Sequence, residues 1–462
     1  VALVAGARVQ HERHGPGVVA RVIDGGRKAL VRFDRRPAVP RVVPAAQVSV
    51  EGERMGVEAT QPASSSPAPC RRHAAAPDRQ TLEALRLGVV PVAGLTALTV
   101  GRHEEQARVE RLLDARRGML VLSGGYGTGK THMIELTEEA AHAHGFLVAR
   151  ATFDPVEVPP SHPLRLYAAL LRDLRHPGGA ARGLRPLLDR LPDDEQLLTG
   201  DLHHRWLSPA LFAVHHAPED LALDVLEFVS GQSRADHREL SRQLRRIGYR
   251  GPPMLGLPDY RTFGQIMAHL LGGLSAWARH AGHAGLVVLL DEAEYLDRLG
   301  AVARQMAENV LRYLAIAAVP HHGLSFSPDG VYRGGQAAHR KVEPVYADDQ
   351  PLVVLCAFTP NPDVDRVLAR TLTDEAARLR LDPVRPSLLP VLAEKVYDLV
   401  KAVHPRLDPH PEHRQQVTRA LDVAFRTGQV ATTRQAARLV VEFWDLYRHD
   451  PARALRALHG VG

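Results

Sequence analysis

Cysteine is nearly absent from this chain of 462 residues: only Cys70 and Cys356 occur, far apart in sequence. That excludes a disulfide framework and a cysteine-rich metal cluster, and it suits a reducing cytosol. No apolar run reaches 18 residues, and the N-terminus lacks the basic, apolar and small-residue plan of a signal peptide. A soluble, cytoplasmic protein with no membrane partner is the expectation. Lysine is scarce as well: Lys28, Lys130, Lys341, Lys395 and Lys401 are the only five among 58 basic residues. The skew toward arginine reflects a GC-rich genome, but it draws attention to each lysine kept, because a compact ammonium and a planar fork do different work. No repeat of 20–50 residues is present.

What is there is ordinary globular chemistry, with 45% hydrophobic and 24% charged residues, which excludes wholesale disorder. The length corresponds to about three domains. The net charge of +6 is unevenly placed. Residues 1–50 hold nine arginines and lysines against Glu12, Asp24 and Asp34, so the remaining 412 residues sum to zero.

Residues 7–50 alternate apolar and polar in short runs broken by Gly15-Pro16-Gly17 and Asp24-Gly25-Gly26. Short strands with close turn signals predict a small antiparallel β-barrel. The run from Val9 through His11, His14-Gly15, Gly17 and Val19 to Val31-Arg32-Phe33 resembles SH3-like or Tudor-like barrels at the tail of UvrD-type helicases, with His14 where those carry an aromatic. That resemblance implies docking to nucleic acid or protein, and the basic excess makes DNA the partner expected of residues 1–50. Residues 51–79, rich in Pro, Ala and Ser, read as a flexible linker.

From residue 80 the pattern changes. Met119–Ser123, Phe146–Phe153, Leu286–Leu290 and Leu352–Phe358 are continuous apolar runs separated by helical periodicity, which predicts an α/β fold, a parallel sheet with helices on both faces. Residues 160–258 read as a helical insertion in a core spanning 80–383, and residues 384–462 as a helical lid. The pairs His203-His204, His215-His216 and His321-His322 read as surface residues, since adjacent histidines on a helix face apart.

The chemistry sits at strand ends. Gly124-Gly125-Tyr126-Gly127-Thr128-Gly129-Lys130-Thr131 fits the P-loop pattern between a buried strand and a helix. Glycines let backbone N–H groups wrap a β-phosphate, and the helix N-terminus adds its positive end. Lys130 reaches the phosphate oxygens and Thr131 ligates Mg²⁺. Leu286–Leu290 ends in Asp291 and Glu292, where Asp291 would hold Mg²⁺ through water and Glu292 would orient the attacking water. Phe358-Thr359-Pro360-Asn361 ends a further strand with a hydroxyl and an amide; Thr359 is preferred as a γ-phosphate sensor because it ends the strand. The cofactors expected are ATP and Mg²⁺.

Together these residues resemble the AAA+ class of P-loop ATPases, on its origin-recognition-like branch. Leu98-Thr99-Val100-Gly101-Arg102-His103-Glu104-Glu105 is similar to the box that precedes the P-loop in that branch, with His103 replacing the usual Glu. Gly101 and Arg102 would then help to cup the adenine. Closer still is the resemblance to the ATP-binding domains of BREX systems, which include BrxD. It rests on Ala84–Pro91, Val100-Gly101-Arg102, the loop aromatic Tyr126, Asp291-Glu292-Ala293-Glu294 and Arg378–Pro383, and it spans roughly 80–450. It implies a Mg²⁺-dependent ATPase of a bacterial anti-phage defence system, a DNA-associated motor or switch. Homo-oligomers and neighbours such as a helicase or methyltransferase come with that implication. The alternatives are a low-turnover ATP-dependent scaffold, or a signalling ATPase, recruiting defence partners through the N-terminal barrel. By the same resemblance Arg366 would serve a neighbouring subunit's site and Arg434 would act in cis from the lid.

Overall fold

The computed structural model describes residues 8–11, 15–23, 28–33, 41–44, 48–50, 76–91, 94–179, 181–335, 337–370 and 377–459. It divides into two units, 1–72 and 73–462. Each is treated by itself.

The first unit is an antiparallel sheet of β1 (Arg8–His11), β2 (Gly15–Ile23), β3 (Lys28–Phe33), β4 (Arg41–Pro44) and β5 (Val48–Val50), in the order β4-β3-β2-β1-β5. β1 pairs with both β2 and β5, so Val9 faces Gly17 on one side and Val50 on the other. Val19 and Val31 are partners across β2 and β3, and with Val9 they are buried. The sheet matches the expected alternation; closure into a barrel is not among the described pairings. The expected linker lies outside the described residues through residue 75.

The second unit begins with a helix, α1 (Ala76–Arg86), which starts inside the stretch expected to be linker. Then come α2 (Leu95–Leu98), α3 (His103–Ala115), β6 (Gly118–Ser123), α4 (Lys130–Ala143) and β7 (Leu147–Thr152). The insertion holds α5 (Pro163–Arg172), β8 (Leu174–Arg175), α6 (Arg185–Leu188), α7 (Glu195–Leu198), α8 (Leu207–His216), α9 (Glu219–Val229) and α10 (His237–Arg246). After it come α11 (Gly264–His280), β9 (Leu286–Asp291), α12 (Ala301–Ala318), β10 (Leu352–Phe358), α13 (Pro362–Ala369) and β11 (Arg378–Arg380). The chain ends in α14 (Leu389–Val403), α15 (Pro411–Arg426), α16 (Thr433–His449) and α17 (Pro451–His459).

The six strands lie in the order β11-β6-β10-β9-β7-β8, all parallel except the two-residue edge strand β8. β10 therefore separates the P-loop strand β6 from the carboxylate strand β9, the arrangement of additional-strand ATPases. Side chains alternate faces at period two. Leu120, Leu122, Val287, Leu289, Val353 and Leu355 pack under α3 and α4. Met119, Val121, Val288, Leu290, Val354 and Cys356 face α5, α11 and α12, and that core runs on without a break into the insertion helices. The insertion thus extends the main core.

α1 packs on α14 and α16, with Leu82 buried among lid residues. The Arg86 guanidinium grips Asp445 through Nε (2.6 Å) and Nη2 (2.7 Å), a bidentate pair. The first helix of this unit therefore belongs to the lid, a partnership of residues about 360 apart in sequence.

One surface expectation is corrected. His204 is fully buried, its ring stacked 4.9 Å from that of His269, and its Nδ1 accepts from the backbone of Trp206 and Leu207 at the start of α8. A helix start needs acceptors for its first N–H groups, and an imidazole serves as one. Burial holds the His204 ring well below its ordinary value of 6.5, and pushes His269 down to about 4. Both rings stay neutral in the fold but take protons in the unfolded chain below about pH 6.5. Stability is therefore held above that pH and lost as pH falls toward 4. A urea midpoint measured from pH 7 to pH 4.5 should decline, and decline less steeply in His269→Gln; parallel curves would refute the assignment.

Candidate functional site

The carboxyl ends of β6, β9 and β10 meet the lid at a cleft of about 470 Å³. Its floor is the loop 124–129. Gly127 and Gly129 have φ of 80° and 95°, a region closed to most side chains. A methyl on Gly124 would lie 2.4 Å from Thr128 Oγ1, and one on Gly127 would lie 2.4 Å from Thr432 Cγ2 of the lid. α4 starts from Gly129 with no side-chain cap, so its first N–H groups open toward the cleft. Lys130 Nζ donates to Gly124 O (2.9 Å) and Gly125 O (3.3 Å).

Asp291 is buried, and its Oδ1 accepts from the backbone N of Glu292 at 2.9 Å. Glu292 itself is exposed and takes φ 55°, ψ 37°. Among the described residues only Arg116, at a helix end, shares a positive φ without being glycine. The backbone is strained by on the order of 1–3 kcal/mol at this position, and Glu292 lines the cleft. Arg150 on β7 stands 3.9 Å from Asp291 Oδ2 and also pairs with Glu135 of α4. Sequence reasoning missed this link from the P-loop helix to the carboxylate strand, because Arg150 reads only as one polar break in an apolar run.

Tyr126, Gly127, Thr128, Gly129, Lys130, Thr131, Asp291, Glu292, Thr359 and Arg434 all line this one cleft. Gly124 and Gly125 form the turn beneath it. Asn361 and Arg366 do not line it; Arg366 is exposed on α13. Arg434 is the second residue of α16, whose start is fixed by a capping box between Thr432 and Gln435. The apolar end of the cleft is built from Leu85, Val89, Pro91, Val100 and the lid residue Leu392. Much of the wall thus comes from the segment 84–91, whose similarity was visible but whose role was not.

The box at 98–102 has a second duty. Gly101 (φ 64°) lies so close to the lid that a methyl there would sit 2.3 Å from Leu388 Cδ1. Arg102, also in the cleft wall, donates to Thr128 O (2.8 Å), Asp382 O (2.7 Å) and Glu105 (2.7 Å). Its guanidinium clasps loop, lid base and α3 together. Behind it, burial and the Arg102 charge push His132 down to about 4, so the ring is neutral beside Thr99 Oγ1 at 2.9 Å.

A nucleotide and its metal fit these residues. The cradle admits no Cβ at Gly124 or Gly127, uncapped N–H groups face it, and a hydroxyl (Thr131) and a carboxylate (Asp291) line the same space. Mg²⁺ is usually held in that manner, by one or two protein oxygens together with phosphates. Among the described residues no cluster of three or more His, Cys, Asp or Glu could hold a metal unaided, and no helix is long and apolar enough to cross a membrane.

No curated protein matches the chain. Among solved structures it is similar to a Walker-type ATPase of Pyrococcus abyssi, at 12% identity over 79% of this chain and 72% of that one, with a TM-score of 0.34. It is also similar to the ORC2 protein of Aeropyrum pernix, in ADPNP and ADP complexes, at 12% identity, 79% and 68% coverage and a TM-score of 0.37. Neither likeness bears on the chemistry. Residues 75–193, about a quarter of the chain, match the family described as BREX system ATP-binding protein BrxC/D; that stretch runs from α1 through the P-loop into the insertion.

Proposed function

We propose that the chain hydrolyses ATP with Mg²⁺ and works as a switch or motor on DNA within a cytoplasmic BREX-like anti-phage system. The observation that carries the reading is the convergence of Lys130, Thr131, Asp291, Glu292, Thr359 and the lid's Arg434 on one cleft. The loop backbone and Lys130 hold the phosphates. Thr131 and Asp291 hold the metal, which when bound neutralises charge on the phosphate oxygens. Glu292 orients the attacking water and takes its proton. Thr359 reads the γ-phosphate from the strand end, and Arg434 reaches the same oxygens from the lid. Charge that develops during transfer is met by groups already in place. Gly101 and Arg102 shape the wall of the base pocket, and Tyr126 lies at its mouth, almost fully exposed.

Because Arg434 sits where α16 touches Gly127, nucleotide contact from both sides draws lid and loop together. Arg366, exposed and away from its own cleft, suits contact with a neighbouring copy's site in a homo-oligomer. The basic residues 1–50 supply DNA contact, and a helicase or methyltransferase of the same system is the kind of protein partner expected.

The test is turnover in mixtures. Arg434→Ala should lower kcat about 100-fold, the scale of losing one transition-state donor. Arg366→Ala should be inactive alone but regain turnover when mixed with chains that keep Arg366 and carry Glu292→Gln. No recovery in the mixture would assign Arg366 no role in trans, and no turnover by the unaltered protein, with or without DNA, would sink the enzyme reading.

A further inference from the structure

The second unit is close to neutral overall, yet it carries one strongly basic stretch far from the P-loop in sequence. Between Arg234 and Arg250 the chain places six arginines against Asp236 and Glu239. α10 buries Leu240, Ser241 and Leu244 against α8 and α9. At 100° per residue, Arg238, Arg242, Arg245 and Arg246 fall on the opposite face, and all four are exposed. Arg242 pairs with Glu239 at 2.8 Å, and among the described residues no carboxylate forms an ion pair with the other three.

Helix stability does not account for this arrangement. Like charges at i and i+4, as in Arg238/Arg242 and Arg242/Arg246, oppose helix formation. Arg238 lies in the first turn, where the helix's own positive end repels a cation. Arg245 and Arg246 at the last turn suit the dipole, but they do not need the rest of the row. Arg234 and, from α5, Arg172 line a separate groove with Glu157 and Asp259, the latter engaged by Arg165 (2.7 Å) and His162 (3.1 Å).

We infer that this band is a binding surface for the phosphate backbone of duplex nucleic acid. A band of guanidinium groups four residues apart, about 6 Å along the helix, meets a regular polyanion without needing a pocket. A protein partner would call for an apolar centre, and Ile247 is the single large exposed hydrophobe among residues 234–250. No exposed aromatic accompanies the arginines there, so single strands find no stacking platform. The surface contacts backbone and carries no base readout. It uses none of residues 1–50 and none of the residues that line the ATP cleft, and it binds without nucleotide.

The test uses the full chain without ATP and a fluorescent duplex of 30 base pairs, with anisotropy measured across a KCl series. Arg238→Gln/Arg242→Gln/Arg245→Gln should weaken binding by about tenfold or more at 100 mM KCl and lower the salt slope by about 2.7, near 0.9 for each phosphate no longer neutralised. The triple lysine variant should restore affinity and slope. Thermal melting of each variant reports folding, and substitutions on this exposed face should leave it unchanged. An unaltered slope in the glutamine variant would overturn the inference, as would a loss of poly-glutamate binding with duplex binding retained, which would mark the band as a dock for an acidic protein.

Discussion

Replacing Lys130 by alanine is expected to lower ATP affinity about 100-fold while leaving the fold intact. The size follows from removing one partner of a buried charge-assisted contact to phosphate, a loss of roughly 2–5 kcal/mol. Its structural cost is small, because Nζ bonds only Gly124 O and Gly125 O, carbonyls of an open loop. Calorimetric titration would show the loss and thermal melting the intact fold. Arginine at this position should not rescue, since a planar fork does not fit a loop shaped around a point charge. Retained nanomolar or micromolar binding in Lys130→Ala would mean that the loop amides alone hold the nucleotide.

Glu292→Gln should separate binding from chemistry. Turnover is expected to fall by 100-fold to 10,000-fold, about the range for a lost general base, while ATP affinity stays within about threefold. The amide keeps the size of the carboxylate and does not disturb the bond from the Glu292 backbone to Asp291 Oδ1 at 2.9 Å. Phosphate release and nucleotide binding, measured on the same preparation, report the two effects. Equal loss of both would place Glu292 in the architecture of the cleft and leave the base unassigned. In contrast, Asp291→Asn should weaken only the Mg²⁺-dependent part of binding.

The sequence made the centre of this site legible because its constraints are local. A buried parallel strand is a continuous apolar run, so β6, β7, β9 and β10 stand out. Gly127 and Gly129 mark positive φ, and Lys130 is conspicuous in a chain that otherwise prefers arginine. Edge strands were hidden, since β8 and β11 have two and three residues and no period to read. Nonlocal partnerships were hidden too. Nothing near Arg86 announces Asp445, and nothing near Arg102 announces Asp382 O, 280 residues away. His204 illustrates the same limit, because a histidine pair suggests solvent until α8 requires an acceptor at its buried start. The basic row on α10 was diluted among 53 arginines until the helix put four of them on one face.

These nonlocal contacts also explain how the cleft responds as a unit. Leu82 of α1 and Leu98 and Val100 of the box lie in one apolar cluster with α14 and α16, and Arg86 ties α1 to α16 through Asp445. A ligand that touches both the loop and Arg434 would shift a body that includes α1, the helix that follows the N-terminal unit in sequence.

This cleft is expected to bind ATP with Mg²⁺. Calorimetric titration of the unaltered full chain with ATP, with and without Mg²⁺, tests it most directly. The expected result is one ATP per chain, tighter with Mg²⁺ than in EDTA and lost in Lys130→Ala. Binding that is absent, or that is the same in Lys130→Ala, would contradict it.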